Sequence, residues 1–326
     1  MQPTLLLALG ASLISGVVAH PHHDLSYAEL TRRSHLSKRC EGAAASMNRK
    51  RWAKRNAKRD LAARAANTTY TITSEAPYYD VLQNNTCILT EEVTTGPYIW
   101  PRSQTLRQDM TEGEPGVPLY LDIGVMDVNS CEPLPDVLVD VWHCNSTGSY
   151  SSFTGLSPDT PFSELLEQLN VTLGQGELDL HTDDTTFLRG MWPTDENGIT
   201  EIKTIFPGYY VERTVHIHVQ VHDNWVVRAN GTVASSDTIS TGQIFAAEDL
   251  TQQIVALEPY ASHTTINRTT NAVDSIYSEE TKNGFDPVLD IVPLDGSDPT
   301  KGMVGYITIG VDKEAQGALR RKLRKL

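Results

Sequence analysis

The chain has 326 residues, 39% of them apolar, and a formal net charge of −14 at pH 7. That length allows one large domain or two ordinary ones, with enough apolar side chains for a core. The acidic balance argues against nucleic acid as a partner, because phosphates would be repelled by the body of the chain.

The first nineteen residues, MQPTLLLALGASLISGVVA, carry no charged side chain and end in the small residue Ala19, with Val17 two positions before it. This reads as a secretory signal peptide over 1–19, cut after Ala19, and implies an extracellular protein. No later stretch is long and apolar enough for a helical membrane span. Residues 20–66 hold twelve Lys/Arg against four acids and read as a basic helical arm or a pro-segment. Lys38-Arg39 and Lys58-Arg59 within it are candidate processing sites. Residues 67–312 reverse the balance, with nine basic and thirty-six acidic residues, and 313–326 form a basic tail ending in LRRKLRKL. The cysteines are Cys40, Cys87, Cys131 and Cys144. In an oxidising compartment an even count implies two disulfides. A Cys131–Cys144 bridge is disfavoured, since an intervening strand would hold the two about 26 Å apart. Six sequons, at Asn67, Asn84, Asn145, Asn170, Asn230 and Asn267, agree with secretion and glycosylation.

From residue 67 the composition changes to strand and turn patterns. VPLYLDIGVMDV (117–128) and DVLVDVWHC (136–144) alternate apolar and polar side chains around the turn NSCEPLP. PFSELLEQL (161–169) has leucines at helical spacing, and TDENG (194–198) is a turn leading into ITEIKTIF. TVHIHVQVHD (214–223) alternates most regularly, and MVGYITIGV (303–311) is a late strand. Together these predict a mainly β fold: an antiparallel β-sandwich with long loops and an N-terminal helical arm.

The 214–223 strand also carries chemistry. Val215, Ile217, Val219 and Val221 share the face expected in the core, which leaves His216, His218, Gln220 and His222 on the other. His216 and His218 stand about 6.6 Å apart along the backbone, close enough to lean onto one metal ion. His222, about 13 Å from His218, is read as a surface residue. PGYY precedes the pair, and Arg213 lies three residues before His216. A phenolate is a hard oxygen ligand, suited to Fe(III) rather than zinc. A second tyrosine should come from elsewhere, and Tyr150 in WHCNSTGSYSSF is the best candidate.

VDVWHCNSTGSYS, FLRGMWPTDENGITEIKTIFPGYYVERTVHIHV and STGQIF, in this order, resemble the intradiol ring-cleavage dioxygenases, in particular secreted fungal-type members. The resemblance spans roughly residues 75–312. It implies a β-sandwich enzyme with one Fe(III) per chain, held by Tyr150, Tyr210, His216 and His218. Tyr210 is preferred to Tyr209 because the family's ligand lies three residues after the proline, which leaves Tyr209 as a packing residue. Arg213 matches the family's active-site arginine and Gln243 its glutamine near the oxygen-binding side. Tyr98, Trp100 and Trp192 fall at pocket positions. Here Ile99 and Trp100 in TGPYIW, and Trp192, depart from the family's usual residues, which bears on the substrate rather than on the iron.

The resemblance further implies that a small aromatic diol of the catechol type is cleaved with O2 to a muconate-type diacid, and it leaves room for a homodimer. Tyr210 and Arg213 would act on the substrate, the first as a proton acceptor and the second by stabilising negative charge. His143 is read as structural. The competing readings are a non-catalytic secreted β-sandwich binding protein with a decayed metal site, and a zinc or copper site on the same histidine pair.

Overall fold

The computed structural model describes residues 31–32, 35–36, 38–66, 96–100, 105–169, 180–228, 233–281 and 285–313. The expected signal peptide, Cys87, the sequons at Asn67, Asn84, Asn170 and Asn230, and residues 314–326 of the basic tail lie outside the described residues. The elements in chain order are α1 (Glu41–Ala66), β1 (Pro118–Asp127), β2 (Glu132–Pro133), β3 (Leu138–Trp142), α2 (Phe162–Gln168), β4 (Arg189–Pro193), β5 (Ile199–Ile205), β6 (His216–Val227), β7 (Val233–Phe245), α3 (Glu248–Val255), α4 (Ser275–Glu280), β8 (Asp290–Pro293) and β9 (Met303–Val311).

Two sheets enclose the core. One runs β2-β1-β9-β8, with β5 also paired to β1; the other runs β4-β3-β6-β7. The alternation read in the sequence decides which side chains meet. Leu119, Leu121, Ile123 and Val125 of β1 and Ile307 and Ile309 of β9 pack against Val139 and Val141 of β3 and Ile217, Val219 and Val221 of β6. The architecture is therefore the expected β-sandwich, with one departure from antiparallel pairing. β1 and β9 run parallel, from Leu119↔Met303 to Asp127↔Val311.

The turn TDENG forms as its chemistry predicts. Asp195 Oδ1 accepts from the backbone N–H of Asn197 and Ile199, and Gly198 adopts φ +72°. A β-carbon on Gly198 would stand 2.7 Å from the Val125 carbonyl oxygen, so the turn packs directly on β1. β7 was not anticipated as a strand. Its sequence VASSDTISTGQIF is too polar to announce one, yet it pairs with β6 over most of its length. Ser235, Thr238 and Thr241 meet the polar side chains His222 and Gln220 of β6, and Gln243 reaches Arg213.

Helix α1 explains why β1 is buried on both faces. Cys40, just before the helix, and Ala44 and Met47 within it pack against Met126 and Val128. Arg51 continues the same helical stripe and is buried. Its Nε donates to Asp122 Oδ1 at 2.7 Å, Nη1 to Thr308 Oγ1 at 2.9 Å, and Nη2 to the carbonyls of Ile307 and Asp122. Gly124 makes room for it, because a β-carbon there would lie 2.8 Å from Arg51 Nη1. A Cys40–Cys131 disulfide closes 91 residues of chain and fastens the helix covalently to the β1–β2 turn. Cys144 is a buried free thiol. Among the described residues no helix is long and apolar enough to cross a membrane.

Arg51→Ala would remove the nearer of the two cations at the buried Asp122 carboxylate, leaving only Arg55 Nη1 at 3.7 Å, and breaking such a buried pair typically costs up to about 3–5 kcal/mol. Chemical denaturation should show a loss of that size. An unchanged midpoint would mean that α1 is not docked through Arg51.

Candidate metal centre

β6 places His216 and His218 on the outer face of the second sheet, away from the core. Four heteroatoms meet there. His216 Nε2 and His218 Nε2 are 3.2 Å apart, Tyr150 Oη lies 3.1 Å from His218 Nε2, and Tyr210 Oη lies 3.3 Å from His216 Nε2. All four residues are buried, none more than 8% exposed. His216 Nδ1 must donate to the Thr214 carbonyl at 2.7 Å, since that oxygen can only accept, so Nε2 turns a lone pair towards the cluster. Trp142 stacks flat on the His218 ring, with centroids 4.9 Å apart and planes 3° from parallel. Tyr98 stacks on Tyr150 at 4.6 Å and meets Tyr210 edge-on at 5.8 Å.

The two tyrosines come from loops that touch backbone to backbone. Asn145 organises the first loop: its Oδ1 accepts from the N–H of Thr147 and Ser149 at 3.1 and 3.0 Å. The Asn145 carbonyl accepts from Gly148 N–H in its own loop and from Gly208 N–H in the second loop, at 3.0 and 3.1 Å. Two glycines make this approach possible. A β-carbon at Gly208 would stand 2.5 Å from the carbonyl oxygens of Asn145 and Ser146, and one at Gly148 would stand 2.3 Å from the Tyr209 carbonyl oxygen.

Burial governs protonation in the cluster. It depresses both imidazoles well below their usual pKa; the Arg213 charge adds to this at His216, and His216 and Arg213 add to it at His218. Burial also lifts the Tyr150 phenol well above its ordinary value and pushes Tyr210 up to about 12, although Arg213 opposes the second shift. The centre is thus two neutral imidazoles and two neutral phenols, poised to lose phenolic protons only to a strong cation. Ligands about 2 Å from one ion lie about 3 Å from each other, which is the spacing found here. Among the described residues no group of three or more His, Cys, Asp or Glu side chains could hold a metal ion; the heteroatoms of this cluster are two imidazole nitrogens and two phenol oxygens.

Two arginines border the centre. Arg213 donates from Nε to Asp274 Oδ2 at 2.9 Å and from Nη2 to Gln243 Oε1 at 2.5 Å. That contact orients the Gln243 amide, whose Nε2 is buried without a hydrogen-bond partner. Arg189, also buried, donates to Ser151 Oγ, the Ser151 carbonyl and the Tyr98 carbonyl at 2.8–2.9 Å, and its guanidinium lies 5.7 Å from the Phe153 ring centroid. It ties the 96–100 segment to the Tyr150 loop.

Residues 95–229 match the family model Dioxygenase_C, described as "Dioxygenase". An intradiol ring-cleavage dioxygenase from Tetranychus urticae aligns at 26% identity over 69% of this chain and 95% of its own, with a TM-score of 0.54. The chain resembles the intradiol ring-cleavage dioxygenases. A 3-chlorocatechol 1,2-dioxygenase from Rhodococcus opacus 1CP aligns at 19% identity, over 69% of this chain and 73% of its own, with a TM-score of 0.40. No curated protein matches the chain.

Of the residues picked from sequence, Tyr98, Tyr150, Tyr210, His216 and His218 come together, with Arg213 and Gln243 at the edge of the group. Trp100 is half-buried, stacks on His181 at 4.1 Å and packs against the apolar cluster that contains Tyr98, Tyr150 and Tyr210. Trp192 does not join them. It pairs with Val139, whose side chain is in the core, so it projects from the opposite side of the sheet to His218. There it lines a separate cleft with Arg55 and Glu201. His222 is not a surface residue: it is 3% exposed, and its Nδ1 lies 3.2 Å from the hydroxyls of Ser235 and Thr238. The long β7 covers it, a strand that periodicity did not reveal.

Tyr209 packs in the core, stacked on His263 and donating to its carbonyl at 2.5 Å. His143 is buried between the Cys144 carbonyl and Thr204 Oγ1. Of the two described sequons, Asn145 has its side chain engaged in the tyrosine loop, while Asn267 is exposed. Reading the sequence missed Arg189, Asp274 and Trp142 as site residues. Asp274 carried only a helix-start signal, and Arg189 only its place in FLRG.

Gly208→Ala should force the two tyrosine loops apart. The expected result is a protein with normal β-sheet circular dichroism that has lost its metal affinity by titration. Undiminished affinity would show that the loop contact does not set the site.

Proposed function

We propose that the chain is a secreted non-haem Fe(III) intradiol dioxygenase, with one iron per chain, that cleaves catechol-type aromatic diols with O2 to muconate-type diacids. The convergence of Tyr150, Tyr210, His216 and His218 at 3.1–3.3 Å carries this reading. Two phenol oxygens with two imidazole nitrogens suit a hard, highly charged ion better than a thiol-rich or all-nitrogen set would. The dioxygenase match over 95–229 supports the reaction class, and it contains all four residues. The apolar first nineteen residues and the Cys40–Cys131 disulfide support secretion.

Ferric iron bound here would supply Lewis acidity, drawing electron density from the diol's ring. The protein's part is positional and electrostatic. His216 and His218 offer Nε2, with His216 held in register by its Nδ1–H bond to Thr214. Tyr210 Oη, near the Arg213 charge, would accept a diol proton as the phenolate that a bound cation leaves behind. Arg213 cannot lose its own proton, so it can face negative charge building on the substrate oxygens. Gln243 Nε2, buried and unpartnered, is a donor waiting for an oxygen. Tyr98, Trp142 and Phe153 wall the centre and exclude water. Across the reaction the carbon–carbon bond between the hydroxyl-bearing carbons and the O–O bond both break, and both oxygen atoms enter the diacid.

The purified protein should be burgundy to red, with close to one iron per chain, and should consume oxygen with at least one diol in a catechol, hydroxyquinol and protocatechuate panel. Tyr210→Phe should shift the visible band and cut turnover by about 10²-fold or more. A colourless, iron-free protein of normal fold would overturn this reading and leave the non-catalytic binding protein or a zinc site on the same histidine pair. An unmoved band in Tyr210→Phe would mean that Tyr210 is not a ligand.

A further inference from the structure

Asp274 lies outside the four-residue donor cluster, yet two groups that matter there depend on it, the Arg213 guanidinium and the Thr214 backbone. Its side chain is fully buried. Oδ2 accepts from Arg213 Nε at 2.9 Å and from the Thr214 backbone N–H at 2.8 Å, while Oδ1 accepts from Tyr277 N–H at 2.8 Å and caps α4. Thr214 is the residue whose carbonyl holds His216 Nδ1, and its hydroxyl donates to Asn271 Oδ1 at 2.7 Å. One carboxylate therefore fixes both the guanidinium of Arg213 and the backbone that aims His216.

We propose that Asp274 is a positioning residue for ring cleavage, acting through Arg213. This rests on the dioxygenase reading above. A guanidinium presents five N–H donors in a rigid plane. With Nε committed to Asp274 and Nη2 to Gln243, that plane is fixed, and the remaining N–H bonds are directed rather than free to sweep. The carboxylate also offsets the positive charge of a buried arginine beside a cation site. Without it Arg213 would be repelled from a metal-loaded centre and would swing away, although no ligand of the metal had changed. Misplacement of a positioning group by about 1 Å can cost about 10²-fold in rate.

The test compares Asp274→Asn, Arg213→Gln and the double variant in the iron-loaded protein. Asp274→Asn should keep iron content and the visible band, leave KM for the diol nearly unchanged, and lower kcat by about 10–100-fold. Added to Arg213→Gln it should cost nothing further, because the group it positions is gone. Full additivity, or wild-type kcat in Asp274→Asn, overturns the proposal. Should Asp274→Asn fail to fold, Asp274→Glu keeps the charge and moves it by one methylene; it should lower kcat with iron retained, and an unchanged kcat overturns the proposal. A wild-type protein that holds iron but consumes no oxygen with any diol sinks the dioxygenase reading and this proposal together. An active wild type with an indifferent Asp274→Asn sinks this proposal alone.

Discussion

The centre depends on the backbone contact between its two tyrosine loops, in which Gly208 N–H donates to the Asn145 carbonyl and Val211 N–H to the Pro158 carbonyl. It joins two loops more than fifty residues apart in sequence, each of which delivers one tyrosine. Neither loop belongs to a sheet ladder, so these two bonds set the distance between their backbones. A side chain at position 148 or 208 would part them, because both glycines sit against carbonyl oxygens that have no room to move. Asn145 reinforces the contact from inside its own loop by occupying its side-chain oxygen with two backbone donors.

The electrostatics of the centre follow from the depth at which those loops bring the tyrosines together. Buried phenols resist ionisation and buried imidazoles resist protonation, so the cluster is neutral until a cation arrives. The charges that are present stand at its margins. Arg213 is balanced by Asp274 and oriented by Gln243. Arg189 is held by two carbonyls and a hydroxyl, with an aromatic face nearby. A neutral donor cluster bordered by fixed cations suits the proposed reaction, since negative charge developing on a bound diol would fall where positive charge is already in place.

Helix α1 works at a different place. Its docking through Arg51 and the Cys40–Cys131 disulfide covers the outer face of the first sheet, while the histidines lie on the outer face of the second. The core between the sheets is continuous, and β6 contributes to it through Ile217, Val219 and Val221. Support for the helix and support for the site therefore meet only through that core. A weakened α1 would loosen the platform behind β1 before it reached the histidine face.

Much of the site was legible because strands alternate. The regular pattern of TVHIHVQVHD alone placed three apolar residues in the core and turned His216 and His218 outward together. Tyr150 and Tyr210 needed the ordered motifs, since a lone tyrosine near a glycine turn is common. Local patterning failed in particular places. Trp192 looked like pocket wall, but strand register turned it to the other side of the sheet. His222 looked exposed until the polar strand β7 closed over it. Asp274 showed only a helix start and Arg189 only its place in FLRG, because their roles at the site arise from contacts with residues 60 and 38 positions away or more. Periodicity and turn chemistry act over a few residues, so the sequence by itself determined the strands that alternate, the core face and the histidine pair, but not the polar β7. Which tyrosine meets which histidine, and what holds the arginines in place, was decided by how the loops pack. That packing is a property of the tertiary structure, set by backbone approach and burial rather than by any local pattern.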